Sequence, residues 1–301
     1  MSEKIRVSIL ITSYNRINDL KETLKKTKLI KYNNYETVII DNGSTDGTGE
    51  YLKNIKNENY KIFIISKNKG PAYAHDLGMK KCEGDYIITI DDDCFLQPDV
   101  VRHTVEIFNK NNTLSAIGYG FMNPNVFFSN EKFFQDYFNI DEVKNINLNK
   151  CNEPIIATSG AAFRKSSLKK INYYDLNWFH CEDWELSLKL IANGFSTMKI
   201  SSLVAFHKSS PLNRDFEFRR YHQIQGAIWL ILKYYPLKLM IIETIVFFIK
   251  TIYFSLMYRR ISYVLAFLYS FKKIKKVLKN RIIIPYKKLK NMNKAHNTIF
   301  I

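Results

Sequence analysis

The run Ile87-Ile88-Thr89-Ile90-Asp91-Asp92-Asp93 constrains this chain more than any other. Its first four residues are apolar or β-branched on both alternating faces, which reads as a strand buried in a parallel sheet. Three consecutive carboxylates then follow, and they repel one another unless something neutralises them. In an open α/β sheet, ligands bind outside the carboxyl ends of the strands. A divalent cation would neutralise the cluster, and oxygen ligands suit Mg2+ or Mn2+. A solvated acidic turn is the alternative reading.

The surrounding sequence alternates strands and helices. Val7–Thr12, Thr37–Ile40, Ile62–Ile65 and Ile87–Asp91 read as strands. Residues 17–28 and 72–81 carry helical periodicity, and a helix through Leu52 and Ile55 is expected between them. Pro71 suits the first turn of its helix. This alternation implies βαβ crossovers and a mostly parallel sheet. Thr12, Asp41 and Asp91 each end a strand, so all three fall on one sheet edge. A helix over 100–109, a strand over 114–118, a helix after Trp184 and a last strand over 200–206 continue the pattern. Residues 121–157 are aromatic and irregular, including Phe121, Phe127, Phe128, Phe133, Phe134, Tyr137 and Phe138. They read as a pocket wall or a hydrophobic plug.

Composition sets the class. With 301 residues, 46% hydrophobic and 24% charged, the chain is globular and long enough for a large core. Cys82, Cys94, Cys151 and Cys181 show no CxxC spacing and read as free thiols in a reducing cytoplasm. The apolar run Val7–Ile11 is too short for a secretory leader. Thirteen of the seventeen net positive charges fall after Glu243, the last acid in the chain. A nucleic-acid-binding role is therefore disfavoured: the basic character belongs to the tail, and the best pocket signal is acidic. A nucleotidyltransferase, the other alternative, lacks a glycine-rich phosphate loop before a basic residue.

The ordered set Val7–Arg16, Val38–Thr48, Asn68–Gly78, Asp91–Asp93, Ser159–Arg164 and Glu182-Asp183-Trp184 resembles the inverting family 2 glycosyltransferases of GT-A fold. The resemblance covers residues 5–210 and implies a metal-dependent sugar transferase using a nucleoside-diphosphate sugar of UDP or dTDP type. It implies that Thr12 and Tyr14 hold the base, that Asp41 accepts from its imide N–H, and that Asn68 and Gly70 lie with the nucleotide. Asp92 would face the ribose. Asp93, with Asp91 and His207, would hold Mn2+ or Mg2+, although His207 also reads as a plain loop imidazole. Asp183 resembles the general base, with Glu182 beside it; both acids also suit the N-terminus of the following helix. Trp184 and Gly160 would border the acceptor, a glycan or glycolipid. Many relatives carry Arg and Asn where this chain has His75 and Asp76, so the phosphate contact of that arginine would fall to Lys67 or Lys69. No Gln-x-x-Arg-Trp motif is present, which points to addition of one sugar rather than polymerisation.

Two regions follow: residues 1–210 as the transferase domain (1–94 for the nucleotide sugar, 95–210 for the acceptor) and 211–301 as a basic helical extension. Leu239–Met257 approaches membrane-spanning length. Lys250 near its centre would cost a span roughly 2.5–3.5 kcal/mol. Glu243, Thr244, Lys250, Thr251, Ser255 and Tyr258 fall on one helix side. The expectation is a helix lying on an anionic membrane surface, at the cytoplasmic face, in surface polysaccharide or glycolipid assembly. A helix docked on the domain and a spanning helix are the alternatives.

Overall fold

A computed structural model describes residues 5–123, 155–178, 180–210 and 215–295. The strands are β1 (Val7–Ser13), β2 (Tyr35–Asp41), β3 (Tyr60–Ile64), β4 (Tyr86–Asp91), β5 (Cys94–Leu96), β6 (Leu114–Met122), β7 (Gly160–Arg164) and β8 (Ser196–His207). They form one sheet in the order β3-β2-β1-β4-β7-β6-β8-β5. The first four strands run parallel; β7 is antiparallel to both β4 and β6, β6 and β8 are parallel, and β5 returns antiparallel to β8. This is the mostly parallel α/β sheet the sequence implied, with antiparallel pairings at β7 and β5 that it did not show.

The sheet is buried on both faces because its strands are apolar on both alternating positions. Ile9 and Ile11 of β1 join Ile39, Ile88 and Ile90 under Leu20 and Leu24 of α1 (Ile17–Thr27) and Phe108 of α4 (Val100–Lys110). Leu10, Val38, Ile40 and Ile87 face the other way, onto Ala72 and Met79 of α3 (Pro71–Lys81) and Leu168 of α5 (Lys165–Lys170). Between these, α2 (Thr48–Lys53) is shorter than expected, and Ile55 lies beyond its end. Pro71 opens α3 as its residue type predicts. The carboxyl ends align: Ser13 pairs with Asp41, and Thr12 with Asp91. The three-residue β5 has no signature in the sequence. Its pairing of Cys94 with His207 brings the end of β8 beside the acids after β4.

Cys82, Cys94 and Cys181 are free thiols. The aromatic residues Phe127, Phe128, Phe133, Phe134, Tyr137 and Phe138, and Cys151, lie outside the described residues.

Beyond α6 (Glu182–Ala192) and β8, the chain becomes helical: α7 (Phe216–Tyr234), α8 (Leu237–Met257), α9 (Ser262–Ser270), a 3-10 turn at Phe271–Lys273, α10 (Ile274–Lys279) and α11 (Tyr286–Ala295). These helices build their own core around Ile228, Ile231, Tyr234, Ala266 and Phe267, and Trp178, Leu188 and Ile191 join it from the sheet domain. One buried polar contact pins the two parts. Lys233 Nζ lies 2.8 Å from Glu185 Oε1 and 3.0 Å from Asp175 Oδ2, and Tyr234 Oη donates to the same Glu185 oxygen at 2.8 Å. Burial alone would lower the Lys233 pKa, but Glu185 and Asp175 outweigh it and raise it. Removing one partner of a buried pair leaves an uncompensated charge. Lys233→Met should therefore cost about 3–5 kcal/mol in urea unfolding, and Glu185→Gln in the same background should recover part of that loss. A change no larger than that of a surface lysine would show that the pair does not hold the extension in place.

Candidate active site

The three acids after β4 solve their crowding in three ways. Asp92 is turned into the protein: Ser13 Oγ donates to it at 2.8 Å, the Tyr14 amide at 3.3 Å and Arg16 Nη1 at 3.1 Å. Its carboxyl is nevertheless pushed up to about 6, since burial outweighs Arg16. Asp93 is fully buried; the Ser210 amide donates to its Oδ2 at 2.7 Å, and His207 Nε2 lies 3.2 Å from its Oδ1. Burial raises its pKa, but His207, Ser210 and Arg16 together hold it below the usual carboxylate range. Asp91 keeps an open side, and its carboxyl is pushed up to about 7 by desolvation and by Asp93. Arg16, which the sequence did not single out, lies 3.5 Å from Asp93 as well. Burial lowers the pKa of its guanidinium and the three aspartates raise it, with a net rise.

Asp91, Asp93 and His207 each offer one ligand atom, all within 4.8 Å of one another. Two carboxylate oxygens and an imidazole nitrogen, with one acid held deprotonated, match a hard or borderline divalent cation such as Mn2+ or Mg2+.

The edge that the resemblance assigns to the nucleotide lies along the ends of β1 and β2. Thr12 and Tyr14 are partly exposed there. Asp41 is buried; its Oδ1 accepts from the Ser44 amide at 3.1 Å, while its Oδ2 meets no donor among the described residues. A buried acceptor without a donor fits a base imide N–H. Asn68 and Gly70 shape the adjoining loop. Asn68 Oδ1 accepts from the Gly70 amide at 2.8 Å and from Asn42 Nδ2 at 3.1 Å. Asn42 was not singled out in the sequence, because an asparagine among turn formers carries no distinctive signal. His75 is buried, stacks on Tyr174 and has its pKa lowered to about 4 by desolvation. It is therefore neutral and carries no charge toward a phosphate.

The second half of the site is the N-terminus of α6. Cys181 precedes it in a left-handed conformation (φ 64°) without a side-chain cap, so Glu182 and Asp183 open the helix instead of capping it. Thr158 holds Asp183 through both carboxylate oxygens: its Oγ1 donates at 2.6 Å and its amide at 3.2 Å. Burial raises the pKa of both acids. Glu182 goes well above its ordinary value, with Asp183 adding to the rise, whereas the Thr158 bonds oppose the rise at Asp183. Trp184 borders the cavity beside them. Gly160 is buried in β7, where a Cβ would come 2.7 Å from Phe121 and 2.8 Å from Ala205. The space over Gly160 is taken by the chain's own side chains.

The cavity holds about 580 Å³ between α6, α7 and α8. Gly226 makes this arrangement possible: a Cβ there would sit 2.8 Å from the His180 carbonyl and 2.9 Å from Cys181 Sγ, pushing α7 off the start of α6. Asp183 is close enough to Asp91 to add to the rise in its pKa, and Asp91 adds to that of Glu182, so the metal cluster and the cavity adjoin.

Comparison with known proteins agrees with this geometry. Residues 8–172 match glycosyl transferase family 2, and the chain belongs to that family. It is 27% identical over 199 residues to the poly-beta-1,6-N-acetyl-D-glucosamine synthase of Staphylococcus aureus, covering 63% of this chain and 46% of the synthase. The chain thus spans less than half the length of that relative. Among solved structures, the mannosyltransferase PcManGT of Pyrobaculum calidifontis, in complex with GDP-Man and Mn2+, superposes with a TM-score of 0.58 at 16% identity, over 99% of this chain and 77% of that one. TarS of Staphylococcus aureus in complex with UDP-GlcNAc gives 0.55 at 17% identity, over 76% and 67%.

The raised acids predict a pH signature. Asp91 and Asp92 have folded-state pKa values of about 7 and about 6, above their unfolded values near 4. Their contribution to stability is full below about pH 4 and is lost as pH rises through about 6 to 7. A divalent cation displaces the proton and reverses that loss. Mn2+ should therefore raise the melting temperature more above pH 7 than below pH 6, and Asp93→Ala should abolish the effect. A Mn2+ shift that survives Asp93→Ala would place the ion elsewhere.

Proposed function

We propose that this chain moves one sugar, with inversion, from a UDP- or dTDP-type nucleoside-diphosphate sugar to a hydroxyl of a glycan or glycolipid. The observation that carries this reading is the juxtaposition of Asp91, Asp93 and His207 with an Asp183 carboxylate held from behind by Thr158. PcManGT in complex with GDP-Man and Mn2+, and TarS with UDP-GlcNAc, support a nucleotide sugar at this edge and a metal beside it.

Asp41 receives the base imide, Thr12 and Tyr14 line the base, and Asn68 and Gly70 form the loop beside it. Asp92 acts at one remove, fixing the β1–α1 turn through Ser13, Tyr14 and Arg16. Asp91, Asp93 and His207 would hold Mn2+ or Mg2+, which when bound offsets the charge that develops on the departing diphosphate. Asp183 takes the proton of the acceptor hydroxyl as it attacks the anomeric carbon opposite the leaving group. Trp184 walls the acceptor. Residues 1–210 carry the chemistry, and residues 211–301 place the enzyme on the inner face of the cell membrane, in assembly of surface polysaccharide or glycolipid.

A panel of nucleotide sugars, scored by nucleoside-diphosphate release with and without Mn2+, identifies the donor. With that donor, Asp183→Asn should keep donor affinity within a few-fold and lower turnover by ~10²–10⁴. Near-normal turnover would reduce Asp183 to a structural role and move the base to Glu182.

A further inference from the structure

The cavity beside Asp183 has a composition that donor binding does not use. Its acids are Glu182 and Asp183, both on α6. Three cations on two other helices line the same cavity: Arg219 and Arg220 of α7, and Lys250 of α8. Arg219 interacts with Glu182 across the space. A cationic wall facing a carboxylate that is held to accept a proton fits a molecule carrying both an anion and a hydroxyl.

The same helix that supplies Lys250 turns its other side to solvent. Ile241, Ile245, Ile249, Leu256 and Met257 are all exposed, and no more than 17% of its most apolar eighteen-residue window is buried. Phe247, Thr251 and Ser255 are the positions buried against the protein. The exposed face is apolar, and the segment after Glu243 carries thirteen cations and no acid. That pairing of apolar surface and positive charge complements a lipid surface with anionic headgroups.

We propose that the acceptor is a lipid whose phosphate rests on Arg219, Arg220 and Lys250, whose hydroxyl reaches Asp183, and whose chain leaves the cavity along the exposed face of α8. The inference rests on the transferase reading, since Asp183 is its base. In group transfer the acceptor oxygen bonds to the anomeric carbon, the bond from that carbon to the diphosphate oxygen breaks, and the hydroxyl proton passes to Asp183. The phosphate takes no part in bond making. It is an anchor, and the lipid surface on which α8 rests supplies the acceptor directly to the cavity.

The test is calorimetry on the full chain. Dihexanoyl phosphatidylglycerol, which joins a phosphate, hydroxyls and two short chains, is titrated into protein saturated with UDP and Mn2+. Glycerol 3-phosphate and dihexanoyl phosphatidylcholine are titrated in parallel. The phosphatidylglycerol should bind, the two controls should bind at least about tenfold more weakly, and Arg219→Gln with Lys250→Gln should cost about tenfold or more in its affinity. UDP–Mn2+ affinity should be unchanged in that variant, which also shows that it is folded. In flotation, the protein should rise with phosphatidylglycerol-containing vesicles more than with phosphatidylcholine ones, and Ile245→Glu with Ile249→Glu should abolish this while UDP–Mn2+ still binds. Equal binding of glycerol 3-phosphate would make the cavity a soluble-anion site and overturn the lipid. Unchanged affinity in the Arg219 and Lys250 variant would overturn the anchor. Failure of UDP–Mn2+ to bind the wild-type chain would instead overturn the donor reading, and the lipid titration distinguishes the two.

Discussion

Three carboxylates at the end of one strand are the constraint from which this structure follows. At 4 Å, two like charges cost about 4 kcal/mol at the effective dielectric of a protein surface. The fold meets that cost with groups brought from far along the chain. Ser13, Tyr14 and Arg16 come from the turn after β1, and Ser210 and His207 come from the end of β8. The result ties three loops to one point on the sheet edge. It also leaves one acid, Asp91, poorly compensated. A site whose protein partners outweigh burial at Asp93 but not at Asp91 suits positive charge from outside.

Much of the sheet was legible because its strands are apolar on both faces and end in polar residues. The alignment of Thr12, Asp41 and Asp91 needed only the assumption of parallel strands. What the sequence hid were the residues whose role depends on a distant partner. Arg16 sits in an ordinary polar turn, and nothing local marks it as the counterion of Asp92. Thr158 stood next to a run of small residues, and only the return of the chain at α6 places it behind Asp183. Lys233 is the one cation in the apolar second half of α7, a pattern that predicts a misplaced charge until Glu185 is seen opposite. β5 is too short to have a period, yet its pairing is what delivers His207.

The tail inverts the usual logic of an amphipathic helix. The polar stripe through Lys250, Thr251 and Ser255 was legible in the sequence, and a soluble helix would turn such a stripe to water. Here Thr251 and Ser255 are buried and Lys250 borders the cavity, while isoleucines and leucines face outward. Packing the apolar face on the sheet domain, one of the arrangements open from sequence alone, is therefore not what the chain does. Exposed apolar surface on this scale marks an interaction site. The inward hydroxyls are satisfied locally, Thr251 by the Phe247 carbonyl and Ser255 by that of Arg260, so their burial leaves no donor unpaired.

The paired acids of α6 show how one helix start yields two chemical characters. Glu182 and Asp183 are adjacent, both partly buried, and too close for both to ionise freely. Thr158 breaks the symmetry by donating to both oxygens of Asp183 and so stabilising its charged form. At Glu182 only a backbone hydrogen bond and Arg219 oppose the rise, and burial together with Asp183 drives its pKa well upward. The pair is therefore asymmetric: burial raises both acids, and the two Thr158 bonds oppose the rise at Asp183 alone. A single threonine, from the segment before β7, is what sets Asp183 apart from its neighbour.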